Sequence, residues 1–172
     1  GAGAAAIACL DMLVKIGLKV ENIVATDLHG VLWRGRAEPF DPRQAVYAKD
    51  TPMRGLGEAI EGADIFLGLS APGVLKPEMV RAMADRPLVL ALANPVPEIL
   101  PDEVRAVRND AIVATGRSDF PNQVNNVLCF PFIFRGALDV GATTINDAMA
   151  IACVDALAEL ARAEMSDVVA AA

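Results

Sequence analysis

The first six residues, Gly1-Ala2-Gly3-Ala4-Ala5-Ala6, have the spacing of a phosphate-cradling turn, and the apolar run Ile23-Val24-Ala25-Thr26 ends in Asp27. In a dinucleotide-binding turn the first glycine permits the tight bend and the second lets backbone approach a pyrophosphate. A small third residue lets the helix pack close to the sheet. Gly1, Gly3 and Ala6 take those three places. The helix that follows offers unpaired N–H groups and a positive dipole end to the phosphates. Asp27 is placed to accept hydrogen bonds from a ribose. The motif alone is common; the strand and acid downstream make it more specific. Such a turn follows a strand, and the sequence opens on its first glycine. The chain is therefore read as a fragment of a larger enzyme, with the first strand of the sheet missing.

The elements that must position these residues are legible from periodicity. Residues 4–17 have Ile7, Leu10, Leu13 and Val14 spaced for one helical face, and Gly17 stops the helix. Ile23–Thr26 is expected as a short buried strand, and residues 30–54 as an irregular connection carrying Arg34, Arg36, Arg43, Lys49 and Arg54. A short helix over 57–60 precedes a strand over 64–69. Pro77 starts a helix through Met83, proline being favourable in a first turn. Leu88–Leu92 is a continuous apolar strand, the pattern of a sheet covered on both faces. A short helix follows Pro101, Ala111–Ala114 is another strand, and helices are expected over 127–138 and 146–164. Alternating strands and helices predict an α/β fold, a Rossmann-like doubly wound parallel sheet. Residues 1–165 make one domain and 166–172 a frayed tail.

Ligands bind beyond the C-terminal ends of strands in such a sheet. Asp27, Ser70-Ala71-Pro72-Gly73, Asn94-Pro95 and Thr115-Gly116 leading to Asn125-Asn126 all meet that test. An asparagine both donates and accepts, so it suits a carboxylate, a hydroxyl or a carboxamide. Plainer roles stand beside these. Asn94 starts a turn before proline, Asn125 and Asn126 cap a helix, Ser70 caps a loop, and Asp27 is a strand-end acid. His29 reads as a loop residue. The arginines of 34–54 read as a solvated face, or as partners of a 2′-phosphate. No tuned general acid or base stands out. Tyr47 and the lysines Lys15, Lys19, Lys49 and Lys76 show no evident partner, and no carboxylate cluster suggests a metal site.

Composition bounds the function further. The 172 residues are 54% hydrophobic and 22% charged, which is globular rather than disordered. A net charge of −7 argues against a nucleic-acid surface. No apolar stretch approaches the roughly 18 residues of a membrane span. Cys9, Cys129 and Cys153 are scattered in apolar surroundings, which suits buried thiols in a reducing, cytoplasmic compartment. With His29 the only histidine, a Cys/His zinc site is not expected.

Taken in order, the glycine turn, Asp27-Leu28-His29-Gly30 with Gly35-Arg36, Gly62-Ala63-Asp64-Ile65-Phe66-Leu67-Gly68, Ala93-Asn94-Pro95 and Gln123-Val124-Asn125-Asn126-Val127 resemble the NAD(P)-binding domain of malic enzymes, especially the bacterial type. The resemblance covers roughly residues 1–165. It implies oxidative decarboxylation of malate to pyruvate and CO₂ with reduction of NAD or NADP, assisted by Mg²⁺ or Mn²⁺ in the complete enzyme. It assigns Gly1, Gly3 and Ala6 to the pyrophosphate turn and Asp27 to the adenosine ribose. Ser70 and Ala71 line the cofactor. Asn94 lies by the nicotinamide ribose or substrate, and Asn125 and Asn126 by the substrate carboxylate and nicotinamide. The family's catalytic tyrosine, lysine and acidic metal ligands precede the glycine turn, so no catalytic or metal residue is assigned here and the fragment alone is expected to be inactive. The complete enzyme is expected to be a homo-oligomer. The alternatives are the Rossmann domain of another two-domain dehydrogenase, acting on amino acids or one-carbon folates, and a non-catalytic nucleotide-binding module.

Overall fold

A computed structural model describes residues 1–163. Helix α1, Ala4–Lys15, turns its buried residues Ala6 and Ile7 inward. It ends in a left-handed glycine, Gly17 at φ 115°. Leu18 N–H reaches Leu13 and Gly17 N–H reaches Val14, the paired bonds of a glycine-terminated helix end.

The expected strand over 23–26 forms differently. Only Thr26–Asp27 (β1) is paired, and it pairs antiparallel with Gly30–Val31 (β2). Ile23 and Ala25 are buried but have no parallel strand neighbour among the described residues. The Asp27-Leu28-His29-Gly30 turn brings the chain straight back, because Gly30 adopts φ 98° and a Cβ there would meet the Arg54 carbonyl at 2.0 Å. The 30–54 connection also carries a short helix, Pro42–Ala45 (α2). Asp41 accepts from Arg43 N–H, and Gln44 returns a bond to Asp41 N–H.

Beyond it, α3 (Leu56–Ile60), β3 (Ile65–Gly68), α4 (Pro77–Arg81), β4 (Leu88–Ala91), α5 (Pro101–Arg105) and β5 (Ile112–Thr115) alternate as read from the sequence, within one or two residues at most ends. The strands form a parallel sheet in the order β3-β4-β5, with Phe66, Val89 and Val113 in one register row. Those three, with Ile60, Leu75, Val80 and Val104, form one core. On the other face Leu88 and Leu90 of the central strand are half-buried. Helices α3, α4 and α5 all give residues to the same core, while Ile65 and Ile112 are 57% and 59% exposed. A second core joins Ala2, Ile7, Ile23, Ala25, Leu32, Tyr47 and Ala48. A groove of about 600 Å³ runs along β3, walled by Ile23–Thr26 and Ile65–Leu67.

These elements make one compact unit, Gly1–Val124; the second begins at Asn125. It holds helices α6 (Phe132–Asp139) and α7 (Asp147–Arg162), the latter capped by Asn146, whose side chain accepts from Met149 N–H. The tail expected over 166–172 lies outside the described residues, among which no helix is long and apolar enough to cross a membrane.

Candidate functional site

The two glycines of the opening turn have different surroundings. A Cβ on Gly1 would lie 2.8 Å from Ser70 Cβ and 3.3 Å from the Leu69 carbonyl, so Gly1 is the residue that lets the turn pack on the end of β3. A Cβ on Gly3 would meet nothing within 4 Å. Gly3 is also the N-cap of α1 with no side-chain cap. The first-turn N–H groups of a helix have no partner within it, and no side chain caps those of α1. Ala6, behind them, is 3% exposed and packs inward. An uncapped helix start with open space beside it can take an anion.

Asp27 stands at the end of β1. Its Oδ1 accepts from His29 N–H at 2.8 Å and from Arg36 Nη1 at 3.1 Å, and its Oδ2 accepts from Arg36 Nη2 at 2.6 Å. Burial pushes the Asp27 carboxyl up, but the Arg36 and His29 hydrogen bonds and the nearby positive charge outweigh it and leave it below the ordinary carboxylate range. The arginine expected on a solvated face is therefore buried. The Arg36 side chain is 1% exposed against 17% for Asp27, with its guanidinium over the Phe40 ring. Gly35, just before it, adopts a left-handed φ of 91°.

Ser70 and Ala71 are exposed just past β3, and Asn94 is exposed just past β4. Asn94 packs on the backbone beyond β5, since a Cβ on Gly116 would lie 2.8 Å from its Nδ2. The structure thus brings Gly1 to Ser70 and Asn94 to Gly116. Asn125 and Asn126 belong to the second unit. There Asn125 Oδ1 accepts from Val127 N–H at 3.1 Å and caps a short 3₁₀ turn, while Asn126 is exposed with its carbonyl accepting from Cys129 and Phe130.

Three features were not legible locally. Glu98, which the sequence did not single out, is fully buried and binds the chain after both β3 and β4. Tyr47 does have a partner: its hydroxyl donates to Asp11 at 2.5 Å, and burial and that bond push its ionisation well above the ordinary range. The expected burial of all three thiols fails, because Cys9 lies on the outer side of α1 and is exposed; Cys129 and Cys153 are half-buried with their sulfurs 3.4 Å apart. Among the described residues no three His, Cys, Asp or Glu side chains gather to hold a metal ion, and none of them is assigned to one.

Relatives share this sequence over its whole length. The NAD-dependent malic enzyme of Rhizobium meliloti is 60% identical over 172 residues, all of this chain and 22% of that protein. The NADP-dependent malic enzyme of Salmonella typhimurium is 61% identical over 173 residues, all of this chain and 23% of that protein. The crystal structure of Entamoeba histolytica malic enzyme superposes with a TM-score of 0.83 at 42% identity, covering 97% of this chain and 36% of that one. The chain thus spans about a quarter of the length of these curated relatives. The family model for the malic enzyme NAD-binding domain matches residues 1–169, and the chain belongs to that family.

Proposed function

We propose that this chain is the cofactor-holding part of an enzyme that oxidatively decarboxylates malate to pyruvate and CO₂ and reduces NAD or NADP. The observation that carries the reading is the pair of glycines. Gly1 is closed against Ser70 while Gly3 stays open at the uncapped start of α1. A bound nicotinamide supplies the hydride acceptor. The first-turn N–H groups of α1 hold the pyrophosphate, Asp27 addresses the adenosine ribose, and Ser70 and Ala71 line the cofactor. Asn94, Asn125 and Asn126 hold the nicotinamide side and the substrate carboxylate. Removal of hydride from C2 of malate and of the proton from its hydroxyl would leave a β-keto acid. Loss of its β-carboxylate as CO₂ would leave the enolate of pyruvate, and a proton delivered to C3 would complete pyruvate. The divalent metal of the complete enzyme would supply polarisation of the keto oxygen. The enzyme works in the cytoplasm as a homo-oligomer on small molecules, with neither nucleic acid nor membrane as a partner.

The charges around Asp27 bear on the choice of nucleotide. A carboxylate favours a 2′-hydroxyl over a 2′-phosphate. Of the basic residues over 34–49, Arg36 binds Asp27, Arg34 lies beside Asp50, Arg43 beside Asp41, and Lys49 donates to the Glu21 carbonyl. This supports NAD, while relatives of both dependences are similar to this chain. The test is malate-dependent reduction of NAD and of NADP by the intact enzyme, with and without Mn²⁺. Metal-dependent reduction with pyruvate formed is expected. Folded protein that binds nucleotide but oxidises no malate would replace this reading by another dehydrogenase or a nucleotide-binding module.

A further inference from the structure

Glu98 is 0% exposed, yet it lies in the loop that follows β4. Its Oε1 accepts from Ser70 N–H at 2.8 Å and from Ser70 Oγ at 3.3 Å. Its Oε2 accepts from Ala93 N–H at 3.0 Å. The donors are two backbone N–H groups and a hydroxyl, and they belong to the segments that leave the C-terminal ends of β3 and β4. Backbone bonds extend the tie, from Leu75 N–H to the Glu98 carbonyl and from Gly73 N–H to the Pro97 carbonyl. Gly68 makes room for it: a Cβ there would lie 2.6 Å from Glu98 Cδ. A fully buried carboxylate is costly to desolvate. Hydrogen bonds to a charged group are stronger than those between neutral groups, and here all three are spent on two loops that lead into the candidate site.

We infer that Glu98 is a positioning residue of the cofactor site, its carboxylate locking the Ser70-Ala71 and Ala93-Asn94 segments in register with each other. It touches no cofactor itself; it acts through the backbone it holds. The inference rests on the cofactor reading given above.

Glu98→Gln in the intact enzyme tests it. The amide keeps the volume but replaces one acceptor oxygen with a donor, which then opposes an N–H. The cofactor KM is expected to rise about tenfold, the effect of losing one bond to a charged acceptor, while kcat at saturating cofactor stays within about twofold. A cofactor KM equal to wild type, with kcat falling only in step with the folded fraction, would overturn the inference and leave Glu98 a folding residue. Should Glu98→Gln fail to fold, Gly68→Ala displaces the same carboxylate. A raised cofactor KM in that variant supports the inference and a wild-type value overturns it. Gly3→Val run in parallel separates the two ideas. An unchanged cofactor KM in Gly3→Val sinks the cofactor reading itself. A raised one beside an unchanged Glu98→Gln sinks only the role of Glu98.

Discussion

Two carboxylates sit at or beyond strand ends in the Gly1–Val124 unit, and they are held in opposite ways. Asp27 faces a buried arginine on one side and solvent on the other, with its side chain 17% exposed. Glu98 faces neutral donors on every bond described and has no exposure. The difference decides what each can do. Asp27 keeps access for a hydroxyl of a ligand while its charge is maintained by Arg36. Glu98 has spent its acceptors internally and is left to fix the loops between which a ligand would lie. The two acids thus differ in access, Asp27 partly open to solvent and Glu98 closed off from it.

The asymmetry between Asp27 and Arg36 gives the largest expected effect. Asp27→Ala leaves the Arg36 cation buried with only the Val31 and Glu38 carbonyls and the Phe40 ring, and is expected to cost about 3 kcal/mol. Arg36→Ala leaves Asp27 free to take water, so about 1–2 kcal/mol is expected. Denaturant unfolding of the intact protein measures both; equal costs would break the contrast drawn here. The pair also predicts an acid limit. The folded Asp27 carboxyl titrates below its ordinary value, so its contribution is complete above about pH 5 and is lost as pH falls towards the folded value. Asp27→Asn should flatten that fall, though Asp41, Asp110 and Asp119 are also lowered and keep part of the slope. Unchanged pH dependence of the melting temperature would contradict it. Tyr47→Phe removes only the bond to Asp11 in the second core and is expected to cost about 1 kcal/mol. Least of all, Arg105→Ala breaks a pair whose side chains are 55% and 79% exposed, and should change stability by less than about 0.5 kcal/mol. A larger loss there would mean that exposed pairs carry weight this account gives only to buried ones.

What the sequence carried was local. Prolines at 77 and 101 mark helix starts, Gly17 ends α1, and the apolar runs over 65–68, 88–91 and 112–115 are the parallel strands. What it did not carry was pairing. The run Ile23–Thr26 is as apolar as the others, but its ladder is antiparallel and two residues long, a choice made by the turn at Gly30. The α2 helix was hidden although Asp41, Pro42 and Gln44 spell its cap. The site divides the same way. Gly1, Gly3 and Asp27 are visible as motif positions, but the separate surroundings of the glycines depend on Ser70, far along the chain. Arg36 and Glu98 are buried by contacts that no neighbouring residue announces, and a charged residue in a loop reads as exposed until its partners are known.

The most direct test is the affinity of NADH and NADPH for the intact protein with Gly3→Val, measured by equilibrium titration beside its melting temperature. Gly3 has an ordinary extended backbone, φ −72° and ψ 179°, and open space where a Cβ would stand. The account predicts an unchanged melting temperature and nucleotide binding weakened by about tenfold or more, because the added side chain keeps the pyrophosphate from the α1 backbone. Wild-type affinity in a stable Gly3→Val protein would contradict it, and the dinucleotide would have to bind elsewhere.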